Sequence, residues 1–533
     1  MNRIPYTGAR RRHIATPLVL LLCLLLLSAI TAQARAGSPP GVDAVLLMDS
    51  SGSMAKNDPQ NLRVPAAKLF MSLLDAGDHI GLISFSDNGY PVLHLTAPEA
   101  GNSSRILAAV DKVSSKGVYT NLYAALDKGV DMLVKEGSPG QDKVLVLMSD
   151  GKMDVGNSDE DEALTRALRD ELLTRVRDQN IKVYTIAFTE SSDVVLLQDI
   201  ARRSGGLFEL ANNSADLHEV FSDIFETAKA PDMLPIEGGA FTVDASIEEV
   251  TIVASKERED VRILLQAPDG RKLGSADADD DRLKWFLSEH FDMITLRKPQ
   301  PGDWKLLFSG GNSRAYVVTN MSLNHNPQQL RLTAGADTVL EAWLEQDGQR
   351  LDQEAVLTNT RFKLRIEAPD GAIANFALDD TGQYGDKKAA DGTYSNTLSY
   401  TVPGSYRMDI IAEGETFKRQ RSVHFDVTPA AGSPPAPAGK QPASGPQAQA
   451  GSTPTPPVAE PAPVPEAPVA PETTPEAPVT AETKPGLGVV IGIFLAINLL
   501  LALLGLGVWW LLKKRKRGTP DPEQEEDEAD ARP

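Results

Sequence analysis

The chain has 533 residues, of which 41% are hydrophobic and 24% charged. That is ordinary globular composition, and at about 100 to 200 residues per domain it leaves room for three or so domains plus extra segments. A net charge of −20 and a pI near 4.9 argue against nucleic acid or anionic lipid as the main partner.

Residues 1–34 have the pattern of a secretory signal: Arg10-Arg11-Arg12, an apolar stretch from Leu18 to Ile30, and Ala32-Gln33-Ala34 as a small-x-small cleavage site. The one cysteine, Cys23, lies inside that stretch, so the mature chain is expected to hold no disulfide. For an exported protein this suits a bacterial envelope better than an animal cell surface. Next comes a continuous aliphatic run, Ala44 to Met48, closed by Asp49-Ser50-Ser51-Gly52-Ser53. Runs of this kind read as buried parallel strands. An amphipathic segment is predicted near 62–74, strands at 80–85 and 92–95, and a helix at 106–113. Thr120 is the expected N-cap of a helix whose apolar stripe is Leu122, Ala125, Leu126, Val130 and Leu133. A second aliphatic run, Val144 to Met148, ends in Ser149-Asp150-Gly151. Ser158 and Asp161, at capping-box spacing, announce a helix over 160–177. A strand at 183–188, a helix at 194–203 stopped by Gly205-Gly206, a strand at 207–210 and a helix at 217–225 complete the series. Such alternation implies an α/β fold with a largely parallel sheet covered on both faces. Ligands of such sheets bind outside the carboxyl ends of the strands, so Asp49 and Asp150 can reach one crevice.

The order Asp49-x-Ser51-x-Ser53, then Thr120, then Asp150-Gly151 resembles the metal-ion-dependent adhesion site of von Willebrand factor A domains, over residues 38–230. The resemblance implies a Rossmann-like doubly wound domain. It also implies a divalent cation coordinated by the hydroxyls of Ser51, Ser53 and Thr120 and held by Asp49 and Asp150 largely through waters. Oxygen donors without Cys or His suit a hard cation, Mg²⁺ first and Ca²⁺ or Mn²⁺ as alternatives. An ion held by neutral hydroxyls keeps an open position for a carboxylate from a protein partner.

Beyond Pro231 the hydrophobic period becomes alternating, and an internal repeat appears. Val261 to Gly270 (VRILLQAPDG) matches Phe362 to Gly371 (FKLRIEAPDG), and Pro301-Gly302-Asp303-Trp304-Lys305 matches Pro403-Gly404-Ser405-Tyr406-Arg407. Two tandem β-sandwich-like units are predicted, 231–325 and 326–428. The second carries Asp379-Asp380-Thr381-Gly382, Asp386 and Asp391-Gly392-Thr393-Tyr394-Ser395. This run resembles a loop of β-sandwich domains attached to A domains, including those of calcium-activated chloride channel regulators. Asp380, Asp386 and Asp391 are candidate calcium ligands, against the plainer reading of two Asp/Gly turns around a short loop.

Residues 429–485 are dominated by Pro, Ala, Glu, Thr and Ser and are expected to form an extended, disordered spacer. Residues 487–512 are long and apolar enough for one transmembrane helix. Lys513-Lys514-Arg515-Lys516-Arg517 follows, which places the tail 513–533 in the cytoplasm and the bulk of the chain in the periplasm or outside the cell, a type I topology. Gly488 and Gly492 have the spacing of a helix-pairing motif, which leaves a homodimer open. His218-Glu219 is followed by Ser222 rather than a second histidine, and no phosphate-binding loop or nucleophile elbow occurs, so no enzyme is expected. The reading is a membrane-anchored, exported adhesion module that captures a protein partner through a divalent cation. The alternatives are a cell-envelope assembly or scaffolding factor whose metal is structural and, remotely, an uncharacterised hydrolase.

Overall fold

Val42–Asp49 (β1) is buried along its whole length, because it lies between two parallel neighbours, His79–Phe85 (β2) and Asp142–Ser149 (β4). The computed structural model describes residues 41–430 and 447–448, apart from 100, 190–191, 212–215, 280 and 328–330. The expected signal segment, the spacer beyond 430, the span at 487–512 and the tail lie outside the described residues. Among the described residues no helix is long and apolar enough to cross a membrane.

The first sheet adds Gly89–Thr96 (β3), Ile181–Ala187 (β5) and Phe208–Leu210 (β6) in the order β3-β2-β1-β4-β5-β6. Only β3, at the edge, is antiparallel. Alternate side chains of β1 enter two cores. Ala44, Leu46 and Met48 pack with the helices Arg63–Leu73 (α1), Ser103–Val110 (α2) and Leu217–Lys229 (α6). Val45 and Leu47 pack with Leu122–Glu136 (α3), the helical run Ser158–Ala167 (α4) to Asp178 and Val194–Ser204 (α5). The α4 run passes through one π-helical turn, Leu168–Leu172. Two expected caps move by one residue. Asn121, not Thr120, caps α3 by accepting from the Ala124 N–H. Asn157, not Ser158, caps α4, while Asp161 accepts from the Val155 N–H at 2.7 Å.

The rest is β structure in two units, each with its own core between two sheets. The strands of the first are Ala240–Val243 (β8), Ile247–Ser255 (β9), Leu264–Gln266 (β10), Lys272–Leu273 (β11), Leu283–Leu287 (β12), Phe291–Arg297 (β13), Gly302–Leu307 (β14) and Arg314–Thr319 (β15). Those of the second are Met321–Asn326 (β16), Arg331–Thr333 (β17), Asp337–Gln346 (β18), Gln349–Arg350 (β19), Arg361–Glu367 (β20), Ile373–Leu378 (β21), Tyr394–Ser399 (β22), Gly404–Glu413 (β23) and Lys418–Thr428 (β24). Because β16 pairs with β18, the second unit begins near Met321, five residues before the expected boundary. The units are also not independent beads. Met233–Leu234 (β7), the segment just after α6, pairs with β15 on one side and β24 on the other, giving one sheet in the order β12-β13-β9-β15-β7-β24-β23-β20-β21. The outer sheet of the first unit is β11-β10-β14-β8, and that of the second runs β16-β18-β22.

α6 lies on the joined sheet. Met233, Val253, Phe291 and Tyr316 are continuous with the core of the α/β domain, Phe225 meets Tyr316 edge-on at 5.1 Å, and His218 stacks on Phe291 at 5.3 Å. Polar groups complete the joint. Arg314 reaches Asp223 at 2.7 Å and Glu226 at 3.1 Å, Arg407 reaches the same carboxylates at 3.0 and 3.4 Å, and His424 lies 3.3 Å from Glu226.

Candidate metal centre

The chain crosses from one side of β1 to the other between β3 and β4, so the carboxyl ends of β1 and β4 form the switch point of the sheet, where ligands of such folds bind. In the register, Met48 lies opposite Met148. Asp49 therefore emerges beside Ser149, whose hydroxyl donates to its Oδ2 at 2.6 Å. The Ser51 N–H donates to Oδ1 of the same carboxylate at 2.8 Å. Across the cleft the Ser53 hydroxyl donates to Asp150 Oδ1 at 2.8 Å, and Asn57 Nδ2 donates to Oδ2 at 2.9 Å. The Ser51 and Ser53 hydroxyls are 2.9 Å apart. Thr120 is tied by its backbone to Asp154, at 2.8 and 3.0 Å, and its side chain lies against Gly151, where an added Cβ would fall 3.1 Å from Oγ1 and 3.2 Å from Cγ2. All five expected residues thus meet at one end of the sheet.

Asp49 is fully buried and Asp150 is 3% exposed, and among the described residues neither makes an ion pair with Lys, Arg or His. Burial pushes Asp49 up to about 6 against the hydrogen bonds from Ser149 and Ser51, and the nearby Asp150 adds to the rise. Two desolvated carboxylates without a countercharge are costly, and a cation is what relieves such a pair. The donor set fits a hard divalent ion, because each serine that donates to a carboxylate still has lone pairs to offer.

Sequence reasoning missed the groups that hold the aspartates. Ser149 had a signal, since aligning the two aliphatic runs places it level with Asp49. Asn57 had none, because its reach depends on the one-turn helix Met54–Asn57 folding back. Also missed was a buried ion pair. Arg63 bonds Asp58 at 2.8 Å and the Ser115 hydroxyl at 2.7 Å, so it ties the segment after Ser53 to the one before Thr120. That second segment needs Gly117, because a Cβ there would fall 2.3 Å from the Ser86 hydroxyl oxygen and 3.0 Å from the Ser50 carbonyl.

Asp380, Asp386 and Asp391 are also brought together, with carboxylate oxygens within 4.8 Å of one another. Those oxygens accept from loop amides. Asp380 takes Gly392 N–H at 2.8 Å, Asp386 takes Gly382 and Lys388 N–H at 2.6 and 2.9 Å, and Asp391 takes Thr393 N–H at 3.0 Å. Turn formation accounts for each of these bonds. A third group, Glu209, Asp223 and His424, belongs to the α6 joint, where Arg314 and Arg407 already neutralise Asp223.

Residues 43–223 match the model of the von Willebrand factor type A domain. They form a von Willebrand factor A domain. After this A domain, residues 235–323 match the hemicentin galactose-binding domain-like family and residues 321–423 the second Ig-like domain of conditioned medium factor. Solved structures similar to the chain include a von Willebrand factor type A protein from Catenulispora acidiphila, 13% identical over 58% of this chain and 64% of that one, with a TM-score of 0.30. Proximal thread matrix protein 1 of the mussel byssus, described with a zinc-occupied MIDAS motif, is 16% identical over 38% and 51%, with a TM-score of 0.30. The PilB minor pilin of Streptococcus sanguinis is 17% identical over 36% and 61%, with a TM-score of 0.30. The chain spans less than two thirds of the length of each of these proteins. Among curated proteins no match was found.

Proposed function

We propose that the chain is an exported binding and adhesion module, anchored in a membrane by one helix, that captures a protein partner through a divalent cation at Asp49, Ser51, Ser53, Thr120 and Asp150. The observation that carries this reading is the pair of buried carboxylates, Asp49 and Asp150, which make no ion pair with a cationic side chain among the described residues. A bound cation, Mg²⁺ first, supplies that charge and offers a free position to a partner carboxylate. The Ser51 and Ser53 hydroxyls lie 2.9 Å apart between the two aspartates they serve, and the hydrogen bonds from Ser149 and Asn57 hold those aspartates for the ion. In this reading the chain is a binder and not an enzyme. The membrane span at 487–512 and the cytoplasmic tail belong to the same proposal.

The test is a calorimetric titration of Mg²⁺ into the full-length protein and into its Asp49→Ala variant. Heat of binding is expected in the first and none in the second, with both folded. Equal heats and affinities would end the metal assignment. A second reading, a cell-envelope assembly factor whose metal is structural, draws on the ion-paired joint between α6 and the joined sheet. The two separate in a pull-down from solubilised membranes: partner lost in EDTA from a still-folded chain favours adhesion, and partner retained favours the scaffold.

A further inference from the structure

Exposed apolar side chains are unevenly placed on the A domain. Among the described residues, four of its five large ones stand at the end of the sheet that carries the candidate metal centre: Tyr90 (49% exposed), Val118 (78%), Tyr119 (37%) and Val195 (71%), whereas Val134 lies near the far end of α3. Val118 and Tyr119 directly precede Thr120. Their segment is held against the Asp49 loop by Gly52 N–H donating to the Gly117 carbonyl and Gly117 N–H to the Ser50 carbonyl, both at 2.8 Å. Val195 lies in the first turn of α5, and the Asp193 N–H just before it donates to the Gly151 carbonyl at 3.3 Å. Single exposed apolar residues need no explanation, but a group collected around one site marks an interaction surface.

Charge on this rim is also uneven. Lys56, Lys116 and Lys152 are exposed and lie three residues after Ser53, one before Gly117 and one after Gly151. None of them makes an ion pair among the described residues. Two nearby rim carboxylates are engaged locally: Asp87 accepts from the Tyr90 hydroxyl at 3.0 Å and Asp154 from the Gly156 N–H at 2.9 Å. In a chain of net charge −20, three lysines without an ion pair among the described residues stand beside the candidate cation site, on a rim that also carries the exposed carboxylates of Asp87 and Asp154.

We infer that this rim reads the residues flanking the partner's carboxylate, and that the partner is an acidic protein segment with a bulky apolar side chain next to the carboxylate that meets the metal. The inference rests on the cation reading above and extends it from an ion contact to a recognition surface. Val118 and Val195 offer the apolar contact. The lysines attract and orient the flanking acids, a contribution that salt screens.

The test uses the full-length chain and three labelled peptides of glycine background: one with a single central Asp, one with Leu added beside it, and one with Leu and two further Asp residues. Binding is followed by fluorescence anisotropy in Mg²⁺ and in EDTA. Affinity is expected to rise from the first peptide to the third, with about a tenfold gain for burying the leucine. In the Val118→Ser, Val195→Ser double variant the leucine gain should vanish. In the Lys56→Glu, Lys116→Glu, Lys152→Glu variant the acidic gain should vanish, and with it the salt dependence. All these positions are exposed, so folding is not at stake. Equal affinity for the three peptides, still sensitive to EDTA, would overturn the rim inference and leave the metal reading standing. Graded affinity indifferent to EDTA would overturn the metal reading and, with it, the inference that the rim acts beside a metal-bound carboxylate. No binding of any peptide would overturn the rim inference, while the calorimetric titration decides the metal reading by itself.

Discussion

Thr120 and Asn121 are neighbours with separate tasks. The Asn121 side chain caps α3, and its N–H also donates to the Ser86 carbonyl at 2.7 Å, while the Thr120 side chain lies against Gly151, beside the candidate metal centre. Asn121→Ala should therefore lower stability by about 1 kcal/mol, the usual cost of a lost cap, and leave Mg²⁺ affinity nearly unchanged. Thr120→Ala should show the opposite pattern, a weakened ion in a protein of almost wild-type stability. Urea unfolding and Mg²⁺ titration of both variants check this, and equal effects of the two on both readouts would refute the division. Sequence could not separate them, because Thr and Asn are both good caps and the first helical residue is set by the tertiary position of the loop. The five candidate ligands were legible for other reasons: Asp49 and Asp150 close two clear aliphatic runs, and Ser51, Ser53 and Thr120 complete with them the order that resembles the A-domain motif.

At the scale of elements, α6 is fixed by an acid pair one turn apart, Asp223 and Glu226, under cations from three strands, Arg314 of β15, Arg407 of β23 and His424 of β24. Burial pulls Glu226 upward, but Arg314, Arg407 and His424 outweigh it and hold the carboxylate well below its ordinary range. Burial lowers His424, yet Asp223 and Glu226 outweigh that and raise it above the usual imidazole value. The signs set the pH response. Glu226 contributes above about pH 4.5 and loses its contribution only in strong acid, whereas His424 contributes fully below about pH 6.5 and loses it as pH rises through its raised value. Thermal stability should accordingly fall as pH climbs above neutrality, and His424→Gln should flatten that fall; a variant that keeps the wild-type slope would exclude His424 as its source. Glu226→Ala should cost roughly 3 kcal/mol, because it removes the buried carboxylate that Arg314, Arg407 and His424 share and leaves Asp223 as their common counter-ion; a loss under 1 kcal/mol in urea unfolding would show the group to be solvated. None of this joint was visible beforehand, since its residues lie far apart in the chain and follow no motif. The internal repeat was visible, and it is real in detail. Gly270 and Gly371 each donate to the alanine carbonyl of their Ala-Pro-Asp-Gly turn at 2.9 Å, and Trp304 and Tyr406 each bond the carbonyl four residues back, at 2.8 and 2.9 Å. Gly302 and Gly404, at φ 130° and 141°, let the matching prolines pack close, with an added Cβ falling 2.9 and 2.6 Å from Pro268 and Pro369.

For the molecule as a whole, the repeat hides an asymmetry. The repeat-bearing pair β10–β14 lies in an outer sheet, whereas its counterpart β20–β23 lies in the joined sheet beneath α6. Sequence similarity reported two like units but not that they turn opposite faces to the A domain, because strand pairing across units depends on β7, a two-residue strand with no pattern to read. The A domain consequently leans on its base. A fragment ending at residue 230 would expose Phe225 and leave Glu226 without its cations, so it should melt below the same domain in the full chain; equal melting temperatures would show the base to be dispensable. The placement of β7 also bears on how the protein is made. Met233 leaves the ribosome long before Tyr316 and Gln420, its partners in β15 and β24, and contacts so distant in sequence form late and slowly. During synthesis the first domain therefore waits, with an unpaired strand at its exit and uncompensated acids on α6, until β15 brings Arg314 about 80 residues later, and the second side of β7 stays open until β24, some 190 residues later, has been made.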